Sequence, residues 1–134
     1  MLKRILISAI GILIFTTILF FGHQAILSSD TLPYELIHTY VFHGIFFVVA
    51  VLVIEVIYML NPAQLGFSYL GVIFAKLGAF IVVFNGALFS EESLEMSAKL
   101  SLVIPLLIYI LIEALYCARM LKKVDSEAQQ LNAE

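Results

Sequence analysis

The sequence predicts an all-α protein, a four-helix transmembrane bundle with both termini cytoplasmic. Three observations predict it. Of 134 residues, 63% are hydrophobic and only 13% charged, with a mean hydropathy of +1.09; a soluble domain is about half apolar and about a quarter charged. Four apolar runs reach the roughly 20 residues that a spanning helix needs. Lys and Arg, finally, gather on one side of those runs. A chain of this composition has too little polar surface to cover a water-facing globule. Four spans, short loops and a tail also leave no room for a soluble catalytic domain.

The first run, about 5–27, opens behind Lys3 and Arg4. It is longer than the roughly 7–15-residue apolar core of a signal peptide. A cut after Ala25 would also set His23, not a small residue, at the third position back. It reads as an uncleaved span. Ser28, Ser29, Asp30, Thr31 and Pro33 break it, since proline fixes its own φ and disfavours helix before it. The second run, about 36–60, stops at Asn61-Pro62, a turn-initiating pair. The third, about 67–89, follows so closely that the two must form a hairpin. Ser90, Glu91, Glu92, Ser93 and Glu95 make a polar connection to the fourth, about 100–121. Residues 1–121 thus form a single membrane domain, and 122–134 a polar cytoplasmic tail.

Orientation follows from basic residues near the span ends. Lys3, Arg4, Arg119, Lys122 and Lys123 lie on one side, and Lys99 alone on the other, among Asp30, Glu35, Glu91, Glu92 and Glu95. The basic side is the cytoplasmic one. A net charge of −3 supports no nucleic-acid partner. The lone Cys117 excludes an internal disulfide and reads as a small buried apolar side chain.

Ionisable groups inside apolar runs carry the functional signal, because a charge at mid-span costs about 2.5–3.5 kcal/mol. Glu55, Lys76 and Glu113 lie in spans two, three and four. Counted from the cytoplasmic ends, they sit roughly 8, 14 and 12 Å deep. Antiparallel helices bring them to one layer, where Lys76 pairs with Glu113, Glu55 or both. Tyr109 and Tyr116 share the helix face of Glu113, and Tyr58 and Tyr69 stand near Glu55 and Lys76, so their hydroxyls can satisfy the cluster. The cluster reads as a register-fixing clamp, a docking site for another subunit, or an ion path.

His23, His38 and His43 lie toward the other side, without metal-binding spacing, and read as satisfied interface histidines. No metal and no cofactor is expected. Gly71, Ala75 and Gly78 form a small-residue pattern for close helix packing. Pro105 removes a backbone donor from the fourth span. Ser8, Ser68, Ser97 and Ser101 have no His or Asp arranged as a triad, so no enzyme is expected.

Three segments carry a resemblance: Leu32-Pro33-Tyr34 through Tyr40-Val41-Phe42-His43; Gln64 through Gly71 into Phe74-Ala75-Lys76-Leu77-Gly78; and Ile104-Pro105 leading to Glu113. From about Leu32 to Leu121 the chain resembles a small bacterial family of unknown function encoded beside ATP synthase genes. That family is similar in size and layout to the ATP synthase I chain, a four-helix accessory protein. The resemblance implies help in assembling or stabilising the ring of c subunits, with Lys76 and the carboxylates as contacts.

The expected function is therefore a non-enzymatic accessory or assembly factor of a bacterial inner membrane, working with the membrane sector of F-type ATP synthase. Two alternatives stand beside it: a small cation or proton permease using Glu55, Lys76 and Glu113, and a structural subunit of another membrane complex. Other membrane subunits are the expected partners, and self-association is left open.

Overall fold

The computed structural model describes residues 1–27, 32, 34–89 and 95–131. The described residues are helical almost throughout. In chain order they form α1 (Leu2–Ile26), α2 (Leu36–Leu60), a 3-10 turn (Pro62–Gln64), α3 (Leu65–Val83), the one-turn α4 (Asn85–Leu88) and α5 (Met96–Leu131). α1, α2, α5 and the stretch Pro62–Val83 are long and apolar enough to cross a membrane. The predicted breaks at Ser28 to Thr31, at Pro33 and at Ser90 to Ser93 lie outside the described residues.

The interior is largely apolar but also holds polar and charged side chains, and large apolar side chains cover the outside. Thr39, His43, Glu55, Lys76, Ser101 and Glu113 are buried. Ile18, Phe74, Leu107 and Val82 instead face outward, Val82 with 75% of its surface exposed. Such a surface suits a membrane, because apolar side chains lose nothing by facing hydrocarbon.

α2 is the central helix and packs on α1, α3 and α5. Thr39, His43, Phe47, Ala50 and Ile54 recur every three or four residues along its buried face. Ala98, Ser101, Pro105, Tyr109, Glu113, Cys117 and Met120 do the same on α5. α1 buries only Ile12 and lies against α2 as an outer helix. Asn61 leaves helical geometry at φ −154°, and Pro62 opens the 3-10 turn that reverses the chain into α3.

Three sequence expectations need correction. The third run was expected to continue to Phe89, but α3 stops at Val83 and the chain turns at Phe84, just before Asn85-Gly86. Asn and Gly are weak helix formers, and uniform hydropathy hid the break. The fourth helix, expected over about 100–121, is longer: α5 runs unbroken from Met96 to Leu131 and takes in the described part of the polar tail. Lys123 and Glu127 form an i,i+4 pair there, and Glu127 accepts a hydrogen bond from Tyr58. Finally, Gly71, Ala75 and Gly78 do not pack helix on helix within this chain. All three face outward on α3, and a Cβ added at Gly71 or Gly78 would meet no atom within 4 Å. Small side chains permit close approach without choosing which neighbour makes it.

Candidate functional site, a buried polar column

Arg4, in the first turn of α1, and Lys123, in the C-terminal part of α5, both approach Tyr58 at one end of the bundle. The Arg4 guanidinium lies 5.6 Å from the centre of the Tyr58 ring and the Lys123 ammonium 5.0 Å. From this Arg4 end a line of polar side chains runs through the interior toward His23 at the far end of α1.

The first station is Glu55. It has no exposed side-chain surface, and Arg4 grips it with both arms of its fork, Nε to Oε1 at 2.8 Å and Nη2 to Oε2 at 2.6 Å. The Tyr116 hydroxyl donates to the same Oε1 at 2.7 Å. Two-pronged pairing of this kind supplies geometry as well as charge.

One turn deeper lies the second station. Lys76 Nζ sits 2.6 Å from Glu113 Oε1, with neither side chain exposed. Of the two partners predicted for Lys76, the structure brings Glu113 to it and gives Glu55 to Arg4. Lys76 also lies 5.6 Å from the centre of the Tyr109 ring, a cation–π approach that softens the loss of water. Tyr69 does not bond the pair; its hydroxyl donates to the Ile110 carbonyl at 3.1 Å.

The third station is aromatic. The His43 ring stacks on Tyr109 at 5.1 Å and 21°, and on Phe80 at 5.9 Å and 23°. The Tyr109 hydroxyl is hydrogen-bonded to Thr16 of α1. His43 is fully buried, yet neither ring nitrogen has a hydrogen-bond partner among the described residues. Thr39 Oγ1 and Glu113 Oε2 share that condition. His43 was expected to be satisfied, and it is not; stacking faces meet its apolar surface and leave its nitrogens unserved.

The last station is His23, whose Nδ1 lies 2.9 Å from the Tyr40 hydroxyl and whose Nε2 lies 3.0 Å from Ser101 Oγ. Ser101 Oγ in turn donates to the Ser97 carbonyl at 2.7 Å. His38 stays outside the column, exposed and 3.6 Å from Glu35.

Arg4, Thr16, Thr39, Tyr40 and Ser101 escaped sequence reasoning as members of this column. Arg4 was read only as an orientation signal, although it begins the same layer that Glu55 ends. Thr16 was overlooked because one hydroxyl in an apolar run says nothing alone. The column also explains how α1 is held. Besides the packing of Ile5, Ile12, Phe15, Leu19 and Phe20, it is tied at three heights by Arg4–Glu55, Thr16–Tyr109 and His23 with Tyr40 and Ser101.

No group of three His, Cys, Asp or Glu side chains that could hold a metal ion occurs among the described residues. No curated protein and no solved structure matches the chain. Residues 1–124, which include every station of the column, match a family of unknown function, and that match names no ATP synthase partner. By that match over nearly its whole length, the chain belongs to the DUF6168 family.

Proposed function

We propose that the protein is a non-enzymatic subunit of a larger membrane assembly in a bacterial inner membrane, docking through the outward face of α3. The observation that carries this reading is the unpartnered face of Gly71, Ala75 and Gly78. In a bilayer, apolar surface alone does not bring helices together, and small residues that let two backbones approach are what interfaces use. Here that surface is presented to the outside while the chain's own packing relies on other faces. The partner we assign is the membrane sector of F-type ATP synthase. Its support is the resemblance to the I chain, which points to assembly of the ring of c subunits.

Gly78→Leu tests the docking face. Because nothing lies near Gly78, the isolated protein should keep its thermal stability to within about 0.5 kcal/mol. Association should fail, so purification in mild detergent followed by mass spectrometry should recover the wild-type partners with wild-type protein and lose them with the variant. An unchanged partner set would remove α3 as the docking face. Recovery of a different complex in place of ATP synthase subunits would keep the docking face and overturn the synthase assignment.

Orientation is part of the proposal. Arg4 of α1 and Lys123 of α5 lie together around Tyr58. The excess of Lys and Arg at that end assigns it to the cytoplasm. A cysteine placed at Ser126 should therefore resist an impermeant thiol reagent in intact cells, and cysteines at Ser29 or Ser93 should react. Reaction at Ser126 would invert the topology.

A further inference from the structure

The interior holds more polar chemistry than a clamp needs. Lys76 and Glu113 would suffice to fix register, yet His43 and Thr39 are also buried, carrying atoms with no hydrogen-bond partner among the described residues. An apolar residue at position 43 would stack between Phe80 and Tyr109 without leaving two nitrogens unserved. Burying such groups unpaired forfeits their hydration with nothing gained in return. Ionisable groups kept inside a membrane bundle mark ion paths and proton relays.

The arrangement has a direction. Ser101, Tyr109, Glu113 and Tyr116 follow one another on one face of α5, over about 22 Å of helix, most of a hydrocarbon core about 30 Å thick. A groove of about 610 Å³ between α1 and α5 reaches His23, Tyr40 and Ser101 at one end. A second groove, of about 340 Å³, reaches Ser8, Tyr116 and Arg119 at the other. Between the two lie only buried groups, with His43 and Lys76 both meeting the Tyr109 ring.

We propose that this column is a proton relay, in which protons pass between the two grooves through Tyr40, His43 and Glu113. The transferred species is the proton alone. His43 takes a proton on one ring nitrogen and releases another from its second nitrogen. Glu113 receives it on Oε2, becomes a neutral acid, and returns to a carboxylate as it passes the proton on toward Tyr116. No described side chain links the His43 nitrogens to Glu113 Oε2, so the proposed hop runs through a bridging water. Lys76 stays protonated and holds the negative charge of Glu113 in place between transfers.

Every element packed on the column presents a group to it: His23 and Arg4 from α1, Glu55 from α2, and Tyr69 from α3. Arg4 and Glu55 neutralise each other at 2.6 Å, so they add no net charge to the route.

The test uses the full chain in vesicles of phosphatidylethanolamine and phosphatidylglycerol, with a pH-sensitive dye inside and a potassium diffusion potential as the driving force. Wild-type protein should move protons faster than protein-free vesicles. Glu113→Gln and His43→Phe should slow this roughly tenfold or more, since each missing relay group raises the barrier to transfer. His43→Phe keeps a flat ring in the stack, so its fold should survive even where Glu113→Gln unsettles the Lys76 pair. Val82→Leu, at a position 75% exposed, should match wild type. Wild-type flux equal to that of empty vesicles, or undiminished flux through His43→Phe, would overturn the relay.

Discussion

Replacing Lys76 with methionine is expected to lower the stability of the protein in detergent by about 3–5 kcal/mol, less whatever Glu113 regains by taking up a proton. Methionine nearly fills the volume and removes only the charge. Glu113 is then left with no donor, since Lys76 Nζ at 2.6 Å is its one hydrogen-bond partner among the described residues and its Oε2 has none. Adding Glu113→Gln should recover much of the loss, because the orphaned charge disappears. Replacing the two with methionine and leucine together should come close to wild-type stability, since a buried ion pair repays little beyond its own loss of water.

A double-mutant cycle assigns the partner. Lys76 and Glu113 should show a coupling of about 1–3 kcal/mol, whereas Lys76 and Glu55 should be additive to within about 0.5 kcal/mol. Glu55 is engaged by Arg4 and Tyr116 and shares neither with Lys76. Strong coupling to Glu55, or additivity with Glu113, would contradict the geometry. The measurement is thermal or denaturant unfolding of each variant in one detergent.

How far the sequence could be read follows from the physics of each feature. Helices with lipid-grade composition announce themselves, because a span must bury about 20 consecutive residues in hydrocarbon and leaves an unbroken apolar run. Depth was legible too. Of the three charged side chains, Lys76 and Glu113 had the closest depths, and these are the two that meet at 2.6 Å. Rotation about the helix axes was not legible. In a soluble helix the polar face marks the outside, but here α1, α2 and α3 are apolar on nearly every face and carry no such mark. That is why the outward direction of Gly71, Ala75 and Gly78 escaped the pattern. The same ambiguity hid Arg4. Its place at the chain's start fitted an orientation rule so well that its reach toward Glu55 went unasked. His43 was invisible for another reason: stacking between Phe80 and Tyr109 depends on three helices at once, and no spacing within one helix encodes it.

Arg4 carries the second large expectation. Arg4→Gln should cost about 2–4 kcal/mol, because Glu55 stays buried and loses two charge-assisted hydrogen bonds while keeping only the one from Tyr116. The Arg4 side chain is 39% exposed, which softens the loss relative to Lys76. The damage should be local before it is global. α1 buries only Ile12 and relies on polar ties, so loss of the tie at the Arg4 end should let the first turns of α1 open while those near His23 stay closed. Hydrogen exchange should report this as faster exchange over residues 2–12, with α2 and α5 little changed. Arg4→Lys should recover only part of the stability, since an ammonium cannot reproduce the fork that meets both carboxylate oxygens. Pairing Arg4→Gln with Glu55→Gln should recover more, because the charge needing a partner is gone. Lys3→Gln is the control: Lys3 is exposed, and losing its charge should leave α1 closed. Identical exchange in Arg4→Gln and Lys3→Gln would mean that α1 is held by lipid and by the Thr16 and His23 ties. Glu55 would then have to find its compensation at the interface with another subunit.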